Sequence, residues 1–208
     1  LLPYLKLKYR LISMIPLIYH SIYSELPLPQ GHRYPIHKYR LLFNEIEKVR
    51  FRDEQWQAFF HYCEPQALTS EEVMKTHCEQ YVSELFSGRL PAARMRRIGF
   101  PWSECLIERT LTSAGGTCLT AEKAIEHGVA IHLSGGYHHA HYDFGSGFCL
   151  LNDLVLAAKR ALTHEGIEKV LIVDSDVHHG DGTATLCADQ DDICLLYTSD
   201  AADDLTRG

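Results

Sequence analysis

The stretch DSDVHHGDG, residues 174–182, places three acidic residues, two histidines and two glycines directly after the apolar run KVLIV at residues 169–173. A short apolar run of this kind is typical of a buried β-strand. Charged groups are costly to bury, and in α/β sheets ligands bind beyond the carboxyl ends of the strands. The stretch therefore indicates an α/β protein with a polar site at the end of this strand.

A second polar segment follows another predicted strand. The residues VAIHL at 129–133 have the pattern of a strand, and SGGYHHAHYDFGSGF at 134–148 comes directly after it. A predicted helix at 150–163 then leads to the strand at 169–173. The order strand, helix, strand predicts a right-handed parallel βαβ unit. If the two strands are neighbours, one crevice receives both polar segments.

The first part of the chain predicts one short strand, an irregular loop and a helix. The strand is expected at residues 15–19 and the proline-punctuated loop at 26–35. Apolar residues then recur at three- and four-residue steps, which predicts a helix with one face towards the core. The residues of that face are Ile36, Tyr39, Leu42, Phe43, Ile46 and Val49.

Two further helical regions carry sequence signals. Thr69 and Glu72 have the spacing of a capping box, which predicts the start of a helix that continues to about residue 87. Residues 101–128 predict two helices, interrupted at Gly115 and Gly116, because consecutive glycines weaken a helix interior.

Composition excludes several classes of function. The 208 residues are 46% hydrophobic, and 27 acidic against 20 basic residues give a net charge of −7 with no long run of either sign. This balance argues against nucleic-acid and anionic-membrane partners. Charges at Lys6, Lys8 and Arg10 interrupt the apolar opening segment, so no transmembrane segment is expected. The seven cysteines include no C-x-x-C pair, which favours a reducing, cytoplasmic location.

Asp174, Asp176 and His178 have the residue types and spacing of a metal site. Because they are two residues apart, their side chains emerge on one face while the backbone stays extended. Carboxylate oxygens and an imidazole nitrogen suit Zn²⁺, which in catalytic sites binds three protein ligands and a water, and they also suit Fe(II) or Co(II). The alternative is that these residues only cap the strand and face solvent.

His138 and His139 lie together in the glycine-rich second segment. A histidine pair in such a loop is commonly a turn with polar tips. An acid–base histidine, however, needs a carboxylate that fixes its tautomer, and Asp174 and Asp181 of the facing segment could serve two histidines. Phe148, judged by its spacing alone, is expected in the core.

Together the two segments resemble a known family. GGYHHAHYDFGSGFCLLND at 135–153 and VLIVDSDVHHGDGTA at 170–184 are similar to the zinc-dependent histone deacetylases of the arginase/deacetylase superfamily. LPLPQGHRYPIHKYRLL at 26–42 resembles the opening of bacterial, class IV-like members. The resemblance covers residues 14 to about 193 and implies a three-layer α/β fold with a central parallel sheet. It also implies hydrolysis of acetyl-lysine or a similar acetylated amine, such as an acetylpolyamine.

The resemblance implies a metal site and a substrate channel. Asp176 and His178 would bind zinc, and a structural potassium ion would lie beside Asp174, Asp176 and His178. Gly147 and Phe148 would form part of the channel wall, which moves Phe148 from the core to the substrate.

The resemblance also implies the acid–base residues. His138 and His139 would be the tandem catalytic histidines, and Asp174 and Asp181 would be the carboxylates that hold them. One histidine would take a proton from water and one would protonate the departing amine.

The chain departs from the family's pattern in its later residues. The third zinc ligand, an aspartate, and a tyrosine that polarises the substrate carbonyl have no matching motif. Residues 1–13 are expected to be a non-native or disordered extension, 14–193 the amino-terminal part of the catalytic domain, and 194–208 a non-native tail. The sequence thus predicts a C-terminally truncated, inactive piece of a deacetylase.

Two other interpretations stay open. The chain could be a non-catalytic pseudoenzyme or a scaffold fragment that binds metal weakly. An arginase-like two-metal hydrolase fits less well, because Gly180 stands where the Asp-x-His-x-Asp pattern of that group needs its second aspartate.

Overall fold

A computed structural model describes residues 14–52 and 54–197 of the chain. One or more helices separate each strand from the next, and a short 3₁₀ turn follows the first strand. In chain order the elements are β1 (Ile15–Ile18), the 3₁₀ turn (Ser21–Ser24), α1 (Lys38–Arg52), α2 (Glu54–Gln57), β2 (Phe60–Cys63), α3 (Ser70–Met74), α4 (Glu79–Phe86), α5 (Ala92–Ile98), α6 (Glu104–His127), β3 (Ile131–His132), α7 (Asp153–Ala161), β4 (Val170–Asp174), α8 (Asp181–Cys187) and β5 (Ile193–Tyr197).

All strand pairs of the described residues are parallel, which confirms the predicted α/β class. One sheet has the order β2-β1-β3, and β4 pairs with β5 in a second sheet. In the first sheet Ile15 lies opposite Phe60, and in the second Val170 lies opposite Ile193. Parallel strands need long crossover connections, and here helices provide several of them.

The predicted parallel βαβ unit is wrong in its strand pairing, because the strands before the two polar segments do not pair with each other. The first of them forms only Ile131–His132 rather than residues 129–133, and it pairs with β1, whereas β4 pairs with β5. A two-residue strand offers few groups for a second ladder. The segment after β3 and the end of β4 nevertheless come together, because α7 packs against both α6 and β4.

The predicted break at Gly115 and Gly116 is also wrong, because α6 continues through both residues. Each glycine lies where another group comes too close for a side chain. A Cβ on Gly115 would lie 2.0 Å from the carbonyl oxygen of Gln66, and one on Gly116 would lie 2.4 Å from the Tyr23 hydroxyl. The glycines therefore serve close packing against α6, and this packing outweighs their weak helix propensity.

Two other helix predictions need correction. The capping box of Thr69 and Glu72 is present, but the helix that it opens ends at Met74, and α4 begins only at Glu79. The predicted apolar face of α1 is only partly buried. Tyr39 is buried, whereas Leu42 and Val49 of the same predicted face are exposed. The helical period in α1 therefore predicts the helix correctly but not the depth of its burial.

The largest buried cluster surrounds α6 and includes side chains from the 3₁₀ turn, α4 and the start of α7. A smaller cluster lies between α7 and the β4–β5 sheet, with Val155, Ile172 and Ile193 at its centre. The opposite face of this sheet exposes Leu171, Val173 and Leu196. In the described residues no helix is both long and apolar enough to cross a membrane.

The predictions for the chain ends fall largely outside the described residues. Residues 1–13 and 198–208 are not among them. Cys194–Tyr197 belong to β5 and pair in parallel with Leu171–Asp174. The assignment of 1–13 and 194–208 as non-native segments stays a prediction.

Candidate active site

The two polar segments meet beyond the end of β4. Backbone hydrogen bonds fix their relative position, since the amide of Thr183, in the first turn of α8, donates to the carbonyl of His138 at 3.0 Å. The start of α8 also packs closely on the histidine loop, and a Cβ on Gly182 would lie 2.4 Å from the Ala140 carbonyl oxygen. The structure thus brings together the histidine and aspartate residues that the sequence singled out.

His138 and Asp174 form a buried pair. Their Nδ1 and Oδ2 atoms are 2.7 Å apart, and only 7% and 8% of the two side chains are exposed. Gly180 makes room for the contact, since a Cβ there would lie 2.5 Å from Asp174 Oδ2. A proton on Nδ1 that points at a carboxylate leaves Nε2 as the nitrogen for chemistry. The contact therefore fixes the tautomer of His138.

His139 and Asp181 form a second, more exposed pair. Nδ1 and Oδ1 are 2.8 Å apart, with 23% and 49% of the side chains exposed. Partial burial raises the pKa of Asp181, but the contacts with His139 and His141 outweigh it and hold that pKa below its usual value. His141 Nε2 lies 3.4 Å from Asp181 Oδ2, a distance that suits an ion pair, although the contact lacks hydrogen-bond geometry.

Asp176 and His178 lie in the loop beyond β4. The chain bends after Asp176, so these residues do not continue the extended strand as the spacing predicted. They nevertheless stay close, with Asp176 Oδ1 2.9 Å from His178 Nδ1, and both side chains are at least half exposed. The backbone N–H of His178 donates to the same carboxylate, and this hydrogen bond holds the pKa of Asp176 below its usual value.

The donor set of Asp176 and His178 fits part of a zinc site. A carboxylate oxygen and an imidazole nitrogen are both ligands that zinc takes in proteins, and here the two side chains are already neighbours, joined by a hydrogen bond. Within residues 14–52 and 54–197, no three histidine, cysteine, aspartate or glutamate side chains form a group that could hold a metal ion. The described residues therefore supply two donors of the expected chemistry.

Both candidate catalytic histidines and the two candidate metal ligands, Asp176 and His178, line one cavity of about 510 Å³. Its wall includes the predicted channel residues Gly147 and Phe148. Phe148 has a φ of 67°, which is rare for a residue with a side chain. Its ring lies 5.2 Å from both Tyr34 and Phe100. Phe148 is thus half-buried, with one side in the aromatic cluster of the core and the other on the cavity.

Sequence reasoning missed three tyrosines in the same wall, Tyr34, Tyr39 and Tyr137. The phenol oxygens of Tyr34 and Tyr39 are in hydrogen-bond contact, and Tyr137 bonds Ser113 at 2.9 Å. The helical period predicts only that Tyr39 lies on the core-facing side of α1. Its neighbour Lys38 lies 5.1 Å from the centres of both the Tyr34 and Tyr39 rings and also lines the cavity. No periodic signal marks these residues as cavity-lining.

Comparison with known proteins gives several relatives, each of which matches most of this chain. An uncharacterized protein of Picosynechococcus sp. is 43% identical over 84% of this chain and 56% of its own length. Histone deacetylase 2 of Arabidopsis thaliana is 27% identical over 85% of this chain and 50% of its own. The acetoin utilization protein AcuC of Bacillus subtilis is 27% identical over 86% and 47%, respectively. The chain spans about half the length of the curated relatives it matches.

A solved structure has the same α/β fold as this chain. The crystal structure of the HDA15 HD domain matches with a TM-score of 0.72, over 89% of this chain and 53% of that one. The two sequences are 21% identical, so this likeness concerns the fold alone. The family described as the histone deacetylase domain matches residues 32–200, which is most of the chain. The chain therefore belongs to the histone deacetylase family.

Proposed function

We propose that this chain carries the acid–base residues and two metal ligands of a zinc-dependent deacetylase, a hydrolase that removes acetyl groups from acetyl-lysine or a similar acetylated amine. One observation carries the proposal. One cavity is lined by both histidines and by Asp176 and His178, and each of the two histidines is paired with a carboxylate. Family membership supports deacetylation as the general class of reaction.

The metal ligands of the proposed site are Asp176 and His178. Zinc, when bound there, would polarise the acetamide carbonyl and lower the pKa of a water molecule. Fe(II) would suit the same atoms, and a structural potassium ion beside Asp174, Asp176 and His178 is a further part of the proposal.

The two histidines differ in their surroundings, and this difference supports separate roles. His139, paired with the more exposed Asp181, would take the proton from the attacking water. His138, held by the buried Asp174, would present Nε2 to the departing amine. The carboxylates keep both imidazoles in the tautomer in which Nε2 can exchange a proton.

The cavity wall would bind the substrate stem. A lysine side chain that carries an acetyl group is long, thin and mostly apolar, and Phe148 with Tyr34 and Tyr39 offers aromatic surface for it. Gly147 adds no side chain, which keeps the wall open beside His139.

We also propose that the 208 residues by themselves turn substrate over poorly. The described residues supply two metal donors, whereas catalytic zinc generally takes three from the protein. A non-catalytic scaffold that binds metal weakly is the second candidate, and the same donor count favours it. A cytoplasmic location is part of the proposal, because all seven cysteines are free thiols.

An assay of acetate release separates these functions. The full-length protein that contains this chain should release acetate from an acetyl-lysine peptide when zinc is supplied, and a hydroxamate chelator should inhibit it. A full-length protein that binds zinc but releases no acetate from acetyl-lysine or acetylpolyamine substrates would instead be a scaffold. The isolated 208-residue chain should show at least about a hundredfold less turnover.

A further inference from the structure

Asp153 lies beneath the loop that carries the two histidines. It is the first residue of α7 and is fully buried. Its Oδ2 accepts the backbone N–H of Gly136 at 3.0 Å, and its Oδ1 accepts that of Tyr137 at 2.7 Å. Tyr137 directly precedes His138. The carboxylate therefore holds the backbone immediately ahead of the histidine pair.

A chain of buried and half-buried polar groups fixes this carboxylate in turn. The Thr117 hydroxyl donates to Asp153 Oδ2, and it lies 3.1 Å from His132 Nδ1. His132 Nε2 lies 2.8 Å from the Tyr23 hydroxyl. The chain thus connects the histidine loop to β3 and to two elements of the main core, α6 and the 3₁₀ turn.

The backbone is shaped around the carboxylate. Gly135 has a φ of 93°, and a Cβ there would lie 2.6 Å from Asp153 Oδ2 and 2.7 Å from Thr117 Oγ1. Any side chain at this position would push the loop away from Asp153. The close approach lets two consecutive amides reach the two different oxygens of one carboxylate.

Only a carboxylate can make both amide contacts. Asparagine has one acceptor oxygen, so it would leave either Gly136 or Tyr137 without an acceptor and turn an NH₂ group towards an N–H donor. A buried carboxylate is costly unless several hydrogen bonds satisfy it, as Gly136, Tyr137 and Thr117 do here. The presence of this costly carboxylate directly beneath the candidate site indicates that Asp153 helps to position the histidine loop.

We propose that Asp153 is a positioning residue for the tandem histidines, which holds the backbone end of His138 and His139 while Asp174 and Asp181 hold their imidazole ends. The inference rests on the proposed deacetylase function. It adds a third aspartate that touches neither substrate nor metal and acts through the Gly136 and Tyr137 amides. A small displacement of the loop would move both Nε2 atoms relative to the substrate, and misplacement by about 1 Å is enough to cost on the order of a hundredfold in rate.

The test compares Asp153→Asn with Val155→Ala in the full-length protein. Val155 lies on the same helix and is fully buried in the smaller core cluster, so its truncation lowers stability without touching the loop. Asp153→Asn should lower kcat by on the order of ten- to a hundredfold with KM changed less than about threefold. Val155→Ala should lower the melting temperature and leave kcat within about twofold of wild type.

A spectroscopic readout keeps the test independent of activity. In proton NMR spectra, the Nδ1 protons of His138 and His139 should give downfield resonances because carboxylates hold them. Asp153→Asn should shift or broaden both resonances, and Val155→Ala should leave them in place. If wild type shows these resonances but no turnover, the deacetylase proposal fails while the positioning role is still decided by the spectra.

Thr117 supplies a second variant if Asp153→Asn does not fold. Thr117→Val removes the hydroxyl that fixes the carboxylate and should reproduce the kcat loss and the spectral change in weaker form, whereas Thr117→Ser should restore both. Asp153→Asn with wild-type kcat and unchanged histidine resonances would overturn the proposal. Equal effects of Asp153→Asn and Val155→Ala on both readouts would also overturn it, because they would reduce Asp153 to a stability residue.

Discussion

His138 Nδ1 and Asp174 Oδ2 are 2.7 Å apart in a contact that solvent barely reaches, whereas the chemically identical pair of His139 and Asp181 lies next to it half in solvent. The chain therefore places the same two groups twice, in surroundings of different polarity. Electrostatic contacts strengthen as water is excluded, so the first pair should matter more for stability. The second pair is better placed to exchange protons with water.

This difference predicts unequal costs for the two carboxylates. Asp174→Ala leaves the buried His138 without its partner and should destabilise the protein by about 1–3 kcal/mol. Asp181→Ala removes a partly exposed contact and should cost at most about 1 kcal/mol. Urea denaturation of the two variants measures both values. Equal losses, or a larger loss for Asp181→Ala, would contradict the unequal burial of the pairs.

His139→Ala should impair turnover and leave the metal in place. As the proposed base, His139 contributes a proton transfer, and its loss should lower kcat of the full-length protein by on the order of a hundredfold or more. Zinc content measured on the same sample should stay at the wild-type level, because His139 is not among the proposed ligands. Loss of zinc along with activity would make His139 a ligand instead.

One buried and one half-buried histidine predict instability in acid. Burial lowers the pKa of His77 to about 4 and of His132 to about 3. Histidines in the unfolded chain have a pKa of about 6.5, so below that pH the unfolded state binds protons that the folded state does not. Stability should therefore be fully present above about pH 6.5 and should fall as the pH drops towards 4, by about 1.4 kcal/mol per pH unit for each histidine.

A single variant isolates one of these contributions. His77 contacts the His141 carbonyl through Nδ1 and accepts the Asn152 amide through Nε2, and glutamine can make both kinds of bond. The free energy of unfolding should therefore depend less steeply on pH in His77→Gln between about pH 6 and pH 4. The difference in slope should correspond to the uptake of close to one proton on unfolding. Asp153, whose pKa burial raises, titrates in the opposite direction in both proteins and cancels in the comparison. An unchanged slope would show that His77 is protonated in the folded state.

The exposed face of the β4–β5 sheet predicts self-association of the 208-residue chain. Leu171, Val173 and Leu196 form an apolar surface on one side of two paired strands. Surfaces of this kind favour association or aggregation. Val173→Thr combined with Leu171→Lys should increase the monomer fraction in sedimentation experiments, and Ile172→Thr on the buried side should not. Wild type that is monomeric at high concentration would contradict this prediction.

The sequence predicts the site better than the packing around it. The two polar segments predict one common site at the strand ends, and His138 and His139 do meet Asp174 and Asp181 there. The strand pairing behind that prediction is nevertheless wrong, because β3 and β4 do not pair with each other. The uninterrupted α6 could not be predicted, since the close contacts at Gly115 and Gly116 involve residues far apart in sequence. The contacts of Asp153 likewise depend on tertiary structure, and its motif position alone does not show which amides it holds.

Metal removal and replacement in the full-length protein tests the central claim most directly. After chelation, acetate release from an acetyl-lysine peptide should be lost, and added zinc should restore it in wild type and in His179→Ala, a neighbouring variant outside the cavity. Asp176→Ala and His178→Ala should recover neither zinc nor activity, although their stability without metal should stay within about 0.5 kcal/mol of wild type because both side chains are largely exposed. Full activity in either variant, with unaltered zinc content, would contradict the assignment of this cavity as a zinc-dependent deacetylase site.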